Sequence, residues 1–164
     1  MHTITKKKEK QSNMSELQNI FQNKQFKCSV SSVLNKDVKQ YGKPFMFDGL
    51  EDTAWYSDQG LPQSINIVFN EPLESLNLSL CQLKIKFQGG FVGNVMTVSL
   101  DDINSQNIYK KSFYPDDIND LQTFTLDANT NGKSLGNVRK LSIVFEKSSD
   151  FFGRIIIYSL ELMT

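Results

Sequence analysis

Residues 82–87 read QLKIKF, and their alternation decides the fold class. Leu83, Ile85 and Phe87 share one face of an extended chain while Lys84 and Lys86 share the other, the period-two pattern of a half-buried β-strand. The same pattern recurs on both sides. Upstream, SINIVF at 64–69 places Ile65, Ile67 and Phe69 together. Downstream, VMTVSL at 95–100 aligns Met96, Val98 and Leu100, TFTL at 123–126 pairs Phe124 with Leu126, and LSIVF at 141–145 aligns Leu141, Ile143 and Phe145. RIIIYSLEL at 154–162 is apolar on both faces in its first half, as a central strand is. In LNLSLCQLKIKF at 76–87 the alternation changes phase between Leu80 and Leu83, which predicts a bulge or a bend. KCSVSSVL at 27–34 and IYKKSFY at 108–114 bring the expected total to about eight strands, divided by turn sequences such as YPDD and NTNGKSLGN. With no helical crossovers between them, these strands predict an all-β, eight-stranded antiparallel jelly-roll sandwich.

Composition narrows what such a sandwich does. A chain of 164 residues suits one domain with a real core. Lys plus Arg and Asp plus Glu balance at 18 each, so global charge points neither to nucleic acid nor to an anionic membrane. No apolar run approaches the roughly 20 residues of a spanning helix, and no apolar segment stands near the start. The expected location is therefore the nucleus, the cytoplasm or both. Cys28 and Cys81 fit that compartment as buried thiols and form no Cys-x-x-Cys pair. The single histidine, His2, stands at the start of the chain, which removes histidine-based triads and histidine-ligated metals from consideration.

Residues 1–25 differ from the remainder. MHTITKKKEKQSN is polar and lysine-rich, with little to bury, and reads as a flexible extension. Lys6, Lys7, Lys8 and Lys10 have two readings, a solubilising tail or a nuclear import signal. In SELQNIFQNKQF, Ser15 and Gln18 have the spacing of a capping box ahead of Leu17, Ile20 and Phe21, which predicts a short helix near 15–24. The sandwich domain is expected over 26–164.

FDGLEDTAWYSDQG at 47–60 holds the only tryptophan among clustered carboxylates. It resembles the Asp-Gly-x-x-x-Thr-x-Trp signature of the discoidin-like domains, the galactose-binding-like superfamily that includes the coagulation factor type C modules. VRKLSIVFEKSSDFFGRIIIYSLEL at 138–162 resembles the last two strands of that fold, where an arginine begins the closing strand. More closely, SSVLN, YGKPFMFD, TAWYSDQG, KFQGGF, SFYPDD, LQTF and DFFGRIIIY, in that order between Cys28 and Leu162, resemble a family of small orphan-nuclear-receptor-associated proteins. The resemblance implies an intracellular discoidin-like domain that binds a nuclear receptor and represses its activity.

It also implies sites. Discoidin-like loops of this kind often wrap a structural calcium ion, and the matching positions are Asp48, Thr53 and Glu161. Leu50 departs from the pattern, standing where calcium-binding members often carry Asp or Asn. The alternative is a corner in which Asp48 and Thr53 bond to backbone amides, with no metal. Trp55 has two readings as well, a core residue beneath the loop or an exposed sugar-stacking platform. Partners of such domains are met by loops at one end of the sandwich. That places Asp58 and Gln59 of SDQG, Phe91 of QGGFVG, and Phe151, Phe152 and Arg154 of SSDFFGR on a candidate partner-binding surface. Phe151 and Phe152 would otherwise plug the end of the sandwich.

Catalysis is not expected. Asp116–Asp117 and Glu51–Asp52 are neighbouring acids in polar turns, and acid–base work needs a desolvated carboxylate. GKSLGN and QGGFVG lack the lysine-serine/threonine ending of a phosphate loop. The expected function is a monomeric, non-catalytic adaptor binding a protein partner, with a carbohydrate-binding module as the competing class and neither nucleic acid nor membrane as partner.

Overall fold

Each alternating segment becomes a strand in the computed structural model, which describes residues 16–127 and 134–164. In chain order these are β1 (Phe26–Val30), β2 (Trp55–Tyr56), β3 (Gln63–Leu73), β4 (Gln82–Phe87), β5 (Val95–Asp102), β6 (Asn107–Phe113), β7 (Gln122–Thr125), β8 (Val138–Lys147) and β9 (Ile156–Met163). They form a five-stranded sheet, β1-β3-β8-β5-β6, and a four-stranded sheet, β2-β9-β4-β7. Every pairing is antiparallel. The expected sandwich is therefore present, with the two-residue β2 as a strand too short for periodicity to reveal.

The core lies where alternation put it. Ile65, Ile67 and Phe69 of β3, Met96, Val98 and Leu100 of β5, and Leu141, Ile143 and Phe145 of β8 are all fully buried. They face Leu83, Ile85 and Phe87 of β4 from the other sheet. Each such side chain contributes roughly 1.5–3 kcal/mol through apolar burial, so two matched inner faces account for the fold's existence.

At the start of β9, Ile156 and Ile157 are buried together with the preceding Ile155, and the phase then moves to Leu160 and Leu162. The cause is a break in register against β4, where Lys86 pairs with Ser159 but Phe87 with Ile157, leaving Tyr158 as the extra residue. Of the bulge or bend expected between Leu80 and Leu83, the structure shows the bend, as a turn. Leu80 donates to the carbonyl of Asn77 and Cys81 to that of Leu78, so Leu80 is carried out to solvent before β4 starts. β1 also ends earlier than alternation predicts. The hydroxyl of Ser31 takes the amide of Ser64 and that of Ser32 takes the amide of Asp58, so Ser31–Leu34 leave the strand for loop and 3₁₀ geometry.

Ahead of β1, a single helical turn, α1 (Ile20–Asn23), is capped by Asn19, whose Oδ1 accepts from the Phe21 amide at 3.2 Å. The same oxygen accepts from the Leu162 amide of β9 at 3.3 Å. Gln18 and Thr164 exchange backbone hydrogen bonds at 3.0 Å, which joins the segment before α1 to the end of β9. Phe21 packs against Phe26, Phe47 and Phe69 with ring centroids 5.0, 5.3 and 6.4 Å apart, closing that end of the core. Ser15, Lys6, Lys7, Lys8, Lys10, His2 and the 129–133 part of NTNGKSLGN lie outside the described residues. Cys81 is buried and Cys28 half-buried, both as free thiols. Burial pushes the Cys81 thiol up to about 12 and that of Cys28 to about 11, which makes both poor nucleophiles.

Candidate functional site

The signature loop builds a corner first. Asp48 Oδ1 accepts from the Leu50 amide at 3.0 Å and Oδ2 from the Thr53 hydroxyl at 2.6 Å, across Gly49 at φ +72°. This is the hydrogen-bonded reading of Asp48 and Thr53. Glu161 stands in β9 opposite Lys84, with no hydrogen bond to either among the described residues. No group of three or more His, Cys, Asp or Glu side chains able to hold a metal occurs among the described residues. Each Asp48 oxygen thus accepts one bond from within the corner. Beyond it, Trp55 is fully buried and its Nε1 donates to the Ser32 carbonyl at 2.9 Å. Trp55 is a core residue, not a sugar platform.

That bond draws Ser32 against the next turn. The Ser32 hydroxyl donates to Gln63 Oε1 at 2.7 Å and accepts from the Asp58 amide at 2.9 Å. Gln63 Nε2 donates to the carbonyls of Asp58 and Gly60 at 3.1 and 2.7 Å. Gln63 is 4% exposed, so this brace works in a dry setting and holds Asp58 and Gln59 in one conformation. Ser57, also buried, receives the Ile155 amide on its hydroxyl at 2.8 Å and ties the turn to the start of β9.

The loop from 148 to 154 is pinned as firmly. Arg154 Nε donates to Asp150 Oδ2 at 2.9 Å and Nη2 to Oδ1 at 3.2 Å, a two-point pair. These bonds from Arg154 hold the Asp150 carboxyl below the usual aspartate range. Gly153 sits at φ +80°, and a Cβ there would meet Leu61 Cγ at 2.9 Å, so glycine is required for the approach to the 57–62 turn. The Gly60 amide bonds to the Phe152 carbonyl at 2.8 Å. With the backbone fixed this way, the side chains of Phe151 and Phe152 project outward, 94% and 56% exposed. They do not plug the sandwich.

Phe91 arrives from the third loop. Gly89 and Gly90 donate to Asn119 Oδ1 and Asp117 Oδ1, both at 2.7 Å, and Asp117 Oδ1 also takes the Ser149 hydroxyl at 3.2 Å. Gly93 lies so close to the Phe145 ring that a Cβ would stand 2.2 Å from it. The Arg154 guanidinium carbon is then 5.1 Å from the Phe91 ring centre and 5.6 Å from that of Phe152, a cation between two aromatic faces.

Arg154 divides two clefts. One, of about 220 Å³, is bounded by Leu34, Tyr56, Phe91 and Ile156; the other, of about 340 Å³, by Asn35, Asp58, Gln59 and Phe152. The structure thus gathers Asp58, Gln59, Phe91, Phe152 and Arg154 at one end, with Phe151 at its rim. Leu34, Asn35 and Tyr56 were not singled out from the sequence. A clue existed for Asn35, whose residue type tolerates the left-handed backbone found there at φ 54°.

No protein-family model matches the chain. Curated relatives do. The Nuclear receptor 2C2-associated protein of Danio rerio is 45% identical over 137 residues, 82% of this chain and 87% of that protein. Those of Xenopus laevis and Homo sapiens are 42% and 38% identical, each over 82% of this chain and over 90% and 88% of their own lengths. Among solved structures, an F5/8 type C domain from Bacteroides fragilis superposes with a TM-score of 0.70 at 15% identity, covering 91% of this chain and 97% of that one. A family 32 carbohydrate-binding module from C. perfringens in complex with galactose does so with a TM-score of 0.60 at 15% identity, covering 85% and 93%. At such identities the structural matches establish the galactose-binding-like fold alone, whereas the sequence matches reach further: this chain belongs to the family of Nuclear receptor 2C2-associated proteins.

Proposed function

We propose that the chain is a non-catalytic protein-interaction adaptor that binds a nuclear receptor through the loop end and lowers that receptor's transcriptional activity. It works as a monomer in the nucleus, the cytoplasm or both. The observation that carries this reading is Phe151, 94% exposed at the tip of a loop whose backbone is pinned on every side. A large aromatic held out by a rigid support loses little entropy on binding, which is what an interface anchor needs. The name borne by the relatives supports a receptor as the partner. The acids give no support to an enzyme: Asp117 accepts from Gly90 and Ser149, and Glu51 and Asp52 are exposed.

A second reading is a carbohydrate-binding module. It is favoured by the polar cleft where Asp58, Gln59 and Arg154 stand beside the Phe152 ring, since sugars pair hydroxyls with polar groups and a face with an aromatic. One comparison separates the two. The purified chain is applied to a glycan array and, in parallel, to immobilised nuclear receptor 2C2. Receptor binding with a blank array supports the adaptor; specific glycan binding with no receptor capture replaces it.

A further inference from the structure

We infer that the clefts on either side of Arg154 form a bipartite peptide site, which takes a bulky apolar side chain of the partner on the Phe91 side and a lysine or arginine on the Asp58 side. This rests on the reading of the loop end as a protein-interaction surface and names the chemistry that surface selects.

The Phe91 cleft is apolar in what it offers a guest. Its floor, Ile156, is 5% exposed, and two polar groups of its lining, the Ser57 hydroxyl and Gln88 Oε1, are already engaged. The Ser57 hydroxyl bonds to the Asp58 carbonyl at 2.8 Å and to the Ile155 amide, while Gln88 Oε1 accepts from the Tyr158 hydroxyl at 3.0 Å. A Leu or Phe side chain seated against Leu34, Phe91 and Ile156 would bury apolar surface on both partners. At about 220 Å³ the cleft is also smaller than the roughly 300 Å³ at which small-molecule sites begin, and suits a single side chain.

The second cleft offers the opposite chemistry. Asp58 Oδ1 accepts from the Gln59 amide at 2.9 Å, and Oδ2 has no partner among the described residues. Ser32 and Gln63 lock the backbone beneath it, so the free oxygen is held in place before any guest arrives. Arg154 adds little repulsion, because Asp150 neutralises it. Among the side chains bonded into these loops, Asp58, Asp117 and Asp150 stand against Arg154. A basic segment with an apolar anchor complements this acidic and aromatic set.

The test pans the full chain against a soluble peptide library in which Lys, Arg, Glu or Ser stands one to three residues from Phe, Leu or Ser. Enriched peptides are then titrated by fluorescence anisotropy. The expected result is enrichment of Lys or Arg beside Phe or Leu. Asp58→Asn, which keeps an acceptor for the Gln59 amide, weakens those peptides fivefold or more with no change in melting temperature, and Asp58→Lys transfers preference to the Glu-containing set. Enrichment without a basic residue, or affinities indifferent to Asp58, overturns the inference. If receptor capture is lost in Phe151→Ser/Phe152→Ser while no charge-selective peptide is enriched, the bipartite site is wrong and the loop-end surface stands. If capture survives that double variant, the surface itself is wrong and the bipartite site falls with it.

Discussion

Asp150 grips Arg154 with both carboxylate oxygens, at 2.9 and 3.2 Å, and so decides where the cation between Phe91 and Phe152 stands. Because Arg154 is bonded to it, the Asp150 carboxyl titrates below its ordinary value. A lowered folded-state pKa stabilises above the unfolded value, near 3.9 for aspartate, and that stabilisation is lost as pH falls through the folded value. The pair is therefore expected to persist through neutral and mildly acidic solution and to dissolve only below about pH 4. Following the Arg154 Nε–H resonance during an acid titration checks this, and Asp150→Asn should remove the transition. Loss of the signal near pH 6 would contradict it.

Trp55→Ala should cost about 3–5 kcal/mol in urea unfolding, the range for deleting a large buried aromatic. Trp55→Phe should cost roughly 1–3 kcal/mol, because the Ser32 carbonyl loses its donor inside the brace that carries Asp58. An unchanged unfolding midpoint in both variants would restore the exposed-platform reading.

Gly93→Ala pushes a methyl group against the Phe145 ring at 2.2 Å, in a strand that cannot yield without breaking the β5–β8 ladder. Overpacking of this kind costs roughly 1–3 kcal/mol. A calorimetric scan showing no fall in melting temperature would mean that the 88–94 loop is freer than its contacts to Asp117, Asn119 and Ser149 imply.

The Asp48 corner separates two chemistries by a simple salt substitution. With both carboxylate oxygens engaged by Leu50 and Thr53, melting curves in chelator and in millimolar calcium should superimpose. Asp48→Ala should then lower stability by about 1 kcal/mol in either solution, as the loss of a turn-forming acceptor does. A melting temperature that climbs with calcium, and ceases to climb in Asp48→Ala, would instead place a cation in the corner.

The inner faces of β3, β4, β5 and β8 were legible because residue spacing alone assigns a side of a pleated strand, as with Ile65, Ile67 and Phe69. Asp58, Phe91, Phe152 and Arg154 were legible as a set through the family resemblance, which says that these loops share an end. Leu34 and Tyr56 were not. Leu34 prolongs an apolar pattern that reads as strand, and only the side-chain bonds of Ser31 and Ser32 to distant amides show why β1 stops at Val30. Tyr56 acquires its role from β2, whose two residues pair with Ile156 and Ile157 about a hundred positions away. The bulge at Tyr158 shares that cause, because register is settled between strands, whereas the turn at Leu80 was announced by the change of phase before β4.

The most direct test of the loop end as the partner-binding surface is a binding isotherm of purified nuclear receptor 2C2 with the wild-type chain and with Phe151→Ser/Phe152→Ser. Both side chains are exposed, so the double variant should keep the wild-type melting temperature. The expected result is at least a tenfold loss of affinity, about 1.4 kcal/mol or more, in the variant alone. Equal affinity of the two proteins at equal stability would contradict the assignment.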